Sequence, residues 1–184
     1  MLDKSECPPA TGQMSGNSTN ACQGEKPMST QTENKPAATR NAGAVKAGDG
    51  EYIFQLAELA GLDAGTGYST AFGPVVEGER MQIGLMNKAR GTGARPHSHP
   101  NEQWNYVIKG KLRVYIEGQE ERIVGPGTLL YFPANKIHAT VALPDEDVVF
   151  FVAKDLSHGI VGKAADGTMS GPHYDEGFAP KNED

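Results

Sequence analysis

Apolar side chains in this chain recur with period two, in short runs separated by turn residues. The runs are concentrated in its middle and begin near residue 50. Met81-Gln82-Ile83-Gly84-Leu85 sets the pattern, because Met81, Ile83 and Leu85 fall on one side of an extended strand. Further strands are expected at Gln103–Ile108, Lys111–Ile116, Glu121–Val124, Thr128–Phe132, His138–Leu143 and Val148–Ala153. Tyr52–Phe54 and Tyr68–Val76 read as strands ahead of them, and Leu56–Leu62 as one helical turn or a loop. Gly110, Gly118, Gly125-Pro126-Gly127, Pro133-Ala134-Asn135 and Pro144-Asp145 supply turn chemistry at the breaks. Short strands at this spacing, with no helical period competing and no internal repeat, predict one all-β sandwich or barrel.

The ends differ from the middle. Residues 1–47 are rich in Ser, Thr, Asn, Gly, Pro, Lys and Ala and hold few large apolar side chains, so burial there cannot offset ordering entropy. They are expected to be a disordered polar leader, in which Met14 and Met28 are alternative starts. The folded part is placed at residues 48–155. Residues 156–184 are again Gly-rich and polar, with Phe178 the last large apolar residue. This tail either hangs loose or folds back over the barrel, and His158 and His173 read as surface histidines.

Charge and cysteine content narrow the function classes. The net charge is −6 and no run of Lys or Arg is long enough to follow a phosphate backbone, which argues against nucleic-acid binding. No apolar run approaches eighteen residues, so no membrane span is expected, and the default location is the cytoplasm. The two cysteines, Cys7 and Cys22, lie in the leader and read as reduced thiols without a partner site.

The chemistry concentrates in one segment. His97 and His99 are two apart, which on a strand directs both to the same side, where two imidazoles can chelate one metal ion. His138 opens an apolar strand just after a turn, where an antiparallel neighbour can bring it beside the first pair. The stretch Gly91-x5-His97-x-His99-x3-Gln103-x6-Gly110, followed after sixteen residues by Gly127-x5-Pro133-Ala134-Asn135-x2-His138, resembles the two motifs of the cupin superfamily. The resemblance covers roughly residues 80–153. It implies an antiparallel jelly-roll β-barrel and a site for one divalent transition metal (Fe, Mn, Ni, Zn or Co). The implied ligands are His97, His99, His138 and a fourth residue.

Three positions depart from the family pattern. Gln103 stands where Glu is usual, Asn135 where Gly is usual, and Ala142 where Asn is usual. Asn tolerates a left-handed turn, so Asn135 is a mild change. Strand parity favours Gln103 over its neighbour Glu102 as the fourth ligand, through its amide oxygen. Three imidazoles and an amide leave the ion's +2 charge uncompensated, which suits an anionic, metal-chelating small molecule such as a keto-acid, an enolisable compound or a diketone. Lewis-acid isomerase or lyase chemistry and Fe(II)-dependent dioxygenation both follow, so the chain reads as an enzyme. The other reading is a cupin that binds or senses a small molecule without turnover. Arg95 and Asn105 share the histidines' parity and are candidate substrate-contacting groups, Arg95 as a carboxylate clamp. Trp104, Tyr106 and Ile108 form an apolar outer face, which either the Tyr52–Phe54 segment or a second subunit should cover, and a homodimer is expected.

Overall fold

Period-two alternation requires each strand to bury one face, and the computed structural model, which describes residues 39–181, shows which face that is. In chain order the strands are β1 (Val45–Lys46), β2 (Leu62–Asp63), β3 (Phe72–Gly73), β4 (Val75–Glu77) and β5 (Met81–Lys88). Then come β6 (Thr92–Gly93), β7 (His97–Ser98), β8 (Gln103–Lys109), β9 (Leu112–Ile116) and β10 (Arg122–Val124). The last are β11 (Leu129–Phe132), β12 (His138–Ala142), β13 (Val148–Asp155), β14 (Lys163–Ala164) and β15 (His173–Tyr174). Among the described residues the only helix is a single 3-10 turn at Leu56–Glu58. The fold is all-β. The strand expected at Tyr52–Phe54 does not form, and that predicted across Tyr68–Val76 is split into β3 and β4 around Pro74, which has no N–H to give a ladder.

Two sheets divide the strands. One runs β1-β4-β5-β13-β8-β11, with β3 joined to β5 and β2 to β3. The other runs β10-β9-β12-β6-β15, with β7 on β12 and β14 on β7. No strand pairing joins the two sheets among the described residues, so the closed barrel expected from sequence is not completed by hydrogen bonds. Side chains pack the two sheets against each other instead. Met86, Val107 and Phe150 of the first sheet share one core with Leu112, Val114 and Ala142 of the second. Each large apolar side chain so buried contributes roughly 1.5–3 kcal/mol.

The inward face of β5 is the even-numbered one, Gln82, Gly84, Met86 and Lys88, while Met81, Ile83 and Leu85 lie on the outer side. On β13 the inward series is Val148, Phe150, Val152 and Lys154. Each series is terminated by a lysine at its C-terminal end. That placement matters for the site.

The ends of the chain contribute more than their composition predicts. Residues 1–38 of the expected leader lie outside the described residues, but within residues 39–47 Val45–Lys46 form a strand of the first sheet. β1 pairs in parallel with β4, and Asn41 is buried. Its amide donates to Glu77 Oε1 at 2.6 Å and to Gln82 Oε1 at 2.7 Å, while its own Oδ1 accepts from the Ile160 amide at 2.7 Å. Low apolar content concealed this, because the anchor is polar and satisfied by hydrogen bonds. The C-terminal segment folds back: β14 pairs with β7, β15 pairs with β6, and Ile160 enters the core. Gly91, held at φ 67°, has no room for a Cβ because Phe178 lies against it.

Trp104, Tyr106 and Ile108 remain 38%, 44% and 46% exposed, joined by Leu129 and Tyr131 of β11. The Tyr52–Phe54 segment does not cover them, since Tyr52 and Ile53 are themselves exposed.

Because buried Asn41 bonds Glu77, Gln82 and the Ile160 amide, Asn41→Ala should lower unfolding free energy by about 2–3 kcal/mol. Urea denaturation measures this. An unchanged midpoint would show that residues 39–47 are not part of the packed domain.

Candidate metal centre

The site begins with a register. His138 of β12 is the antiparallel partner of His97 of β7, so the two imidazoles stand side by side without help from a loop. The Pro133–Asn135 turn then ties the second motif to the first, because the Asn135 amide donates to the His99 carbonyl at 2.7 Å. Asn135 adopts φ 62°, the left-handed conformation that the turn requires and asparagine accepts. With His99 two residues beyond His97, three ring nitrogens lie within 4.8 Å of one another. Phe132 stacks on His138 with ring centroids 4.1 Å apart, and Tyr68 packs on His97 at 4.5 Å.

The tautomers follow from the hydrogen bonds. Nδ1 of His97 meets the Arg95 carbonyl at 2.8 Å, Nδ1 of His99 the Asn101 carbonyl at 2.6 Å, and Nδ1 of His138 the Lys136 carbonyl at 2.8 Å. A carbonyl only accepts, so each Nδ1 carries the proton and each Nε2 presents a lone pair. The Nε2 atoms of His99 and His138 are buried and have no hydrogen-bond partner. Burial drives all three rings toward the neutral form: the pKa falls to about 2 at His97, about 4 at His99 and about 3 at His138, with desolvation the largest cause. Neutral imidazoles with converging free Nε2 atoms are the donor set that a divalent transition metal needs. Left without one, two of those atoms carry the cost of unpaired buried acceptors. His97, His99 and His138 can therefore hold an ion.

Gln103 and Asn105 both line the cavity beside the histidines, and Gln103 Nε2 donates to Asn105 Oδ1 at 2.8 Å. That bond uses one N–H of the amide and braces the Gln103 side chain against Asn105. Glu102 is on the other side of the strand, exposed, with Oε2 accepting from the Tyr131 hydroxyl at 3.2 Å. Arg95 does not join the site. Its guanidinium donates to the Gly171 carbonyl, Asp166 Oδ2, Thr168 Oγ1 and the Thr168 carbonyl, so it fastens the C-terminal segment rather than facing the cavity. Parity misplaced it because β6 ends at Gly93 and β7 begins at His97, and alternation does not run across the break.

Three groups that the strand pattern did not single out complete the lining. Tyr68 is buried, with its hydroxyl accepting from the Gly162 amide at 2.7 Å, and burial raises its pKa. Lys88 and Lys154 are the polar ends of the two inward series, 3% and 2% exposed. Desolvation lowers both ammonium pKa values to about 7. Continuing the inward series of β13 from Val148 through Val152 would have reached Lys154. The cavity is small, about 40 Å³, and among the described residues no carboxylate lines it.

Residues 84–154 match the family model of the cupin domain. Over these residues the chain is similar to the cupin domain. The match takes in all three histidines and Gln103, while Tyr68 and the C-terminal segment of the site lie outside it. Solved structures similar to this one include a cupin-like protein from Thermotoga maritima, 30% identical over 40% of this chain and 55% of its own length, TM-score 0.37. KdgF from Halomonas sp. is 28% identical over 41% of this chain and 69% of its own, TM-score 0.39. The DMSP lyase DddQ from Ruegeria pomeroyi is 22% identical over 52% of this chain and 47% of its own, TM-score 0.45. This chain thus spans about half the length of the first and third of these proteins. No curated protein matches it in sequence.

Proposed function

We propose that this cupin domain binds one divalent transition metal on His97, His99, His138 and Gln103, and that it is an enzyme acting on a small anionic molecule that chelates the ion. The cluster of three imidazole nitrogens, two of them buried Nε2 atoms without a partner, beside a cavity that no carboxylate lines among the described residues, carries this reading. A divalent ion in that position supplies Lewis acidity toward a keto-acid, enolisable or diketone-like ligand, or, as Fe(II), a centre for dioxygen chemistry. The protein's own residues keep the donor set neutral. Gln103, braced by Asn105, adds an oxygen without adding charge, and the backbone carbonyls of Arg95, Asn101 and Lys136 hold each ring in place. Tyr68, Phe132 and Val152 exclude water around the histidines. The two sheets, closing over one core, are read as the jelly roll of this family, extended by residues 39–47 and by the C-terminal segment.

The metal content of the purified full chain tests the reading. Roughly one ion per chain is expected, with affinity falling at least about 100-fold in His138→Ala and in His97→Ala, and about tenfold or more in Gln103→Leu. Glu102→Ala should leave it unchanged. Stoichiometric metal retained in both histidine variants would overturn the assignment. Oxygen uptake and solvent-deuterium exchange with keto-acids and diketones then separate dioxygenation from enolisation, and loaded protein silent in both would favour the binding-only alternative.

The exposed Trp104, Tyr106, Ile108, Leu129 and Tyr131 face is proposed to be a homodimer interface. Light scattering should give twice the 19.6 kDa chain mass. A monomer at micromolar concentration would count against it.

A further inference from the structure

A buried lysine amine needs a reason, because moving its charge out of water is costly unless a partner or ligand repays it. This cavity has two. Lys88 Nζ donates to the Thr140 carbonyl at 2.7 Å and to Thr140 Oγ1 at 2.5 Å, and Lys154 Nζ donates to the Ile160 carbonyl at 3.0 Å. An ammonium has three donors, so one remains at Lys88 and two at Lys154. Neither amine has a carboxylate within salt-bridge distance among the described residues. Asp155 adjoins Lys154 in sequence, but its carboxylate is engaged by the amides of Glu102 and Ser157, each at 2.8 Å.

The two lysines stand at opposite ends of one strand face. Lys88 is the strand partner of Val148 and Lys154 that of Gln82 and Gln103, so they enter from opposite ends of the inner face of β13. Their backbones are roughly 20 Å apart along that strand. Long side chains bring both to the lining of the same cavity, which His97 and His138 also line. A single negative charge can be met by one amine; two buried amines lining one small cavity call for two.

We infer that Lys88 and Lys154 form a two-point anion clamp, and that the ligand of this cavity is a compact dianionic carboxylate, a dicarboxylate or the enolate of a keto-acid. The inference rests on the proposed reading of the site as one for an anionic small molecule and names the class. Metal and lysines acting together would place several positive charges in a cavity of about 40 Å³, and a dianion balances them. Lys88 and Lys154 then determine specificity by counting charge.

Calorimetric titration of the full chain with malonate, and with acetate at matched ionic strength, tests this in metal-free and metal-loaded protein. Malonate should bind at least about tenfold tighter than acetate, and Lys88→Met and Lys154→Met should each remove about tenfold or more of that preference without altering metal content. Equal binding of the two anions by the unmodified protein would overturn the clamp, a result that does not depend on either variant folding. Unchanged malonate affinity in both folded variants would overturn it as well. A lysine-dependent malonate preference in a protein that takes up no metal would support the clamp and refute the metal centre. Metal uptake without any malonate preference would do the reverse.

Discussion

Everything at this site depends on three hydrogen bonds from imidazole Nδ1–H to backbone carbonyls. Each joins a histidine to a residue two positions away, so the bond is local and needs no distant element to form correctly. Its consequence is not local. By placing the proton on Nδ1 it directs every Nε2 lone pair inward, and the antiparallel pairing of His97 with His138 makes those lone pairs converge. An isolated neutral imidazole is free to exchange tautomers; these are committed before any ligand arrives.

The fold supplies two further constraints around that centre. The C-terminal segment adds β14 beside β7, so the backbone carrying His97 is paired on both sides, with β12 and with β14. Asn101 reinforces the arrangement from the other direction. Its carbonyl holds His99 while its side-chain amide donates to the Asp155 carbonyl at 2.8 Å, linking the first motif to the end of β13. Among the described residues, the ionisable side chains lining the cavity are histidine, lysine and tyrosine.

The central strands were legible in the sequence because alternation, turn residues and a buried apolar face all agree there; β8 to β13 begin and end within two residues of the expected bounds. The three histidines were legible because their spacing is tied to turns, and Gln103 and Asn105 because parity holds along the continuous β8. Arg95 was misplaced where parity fails, in the break between β6 and β7. Lys88 and Lys154 escaped notice because a lysine at a strand end reads as a solvated cap, and only the packing of the two sheets shows it turned inward. The anchor at Asn41 escaped for the same kind of reason. A single buried amide with three partners leaves no trace in hydropathy, yet it incorporates residues 39–47 into the sheet.

The central claim is that backbone carbonyls preset all three rings as Nδ1–H tautomers with free Nε2 atoms. Long-range proton–nitrogen correlation spectra of the metal-free protein at neutral pH read this ring by ring. The account predicts a protonated Nδ1 and an unprotonated Nε2 at His97, His99 and His138 alike. Protonation at Nε2 of any two of them would contradict it.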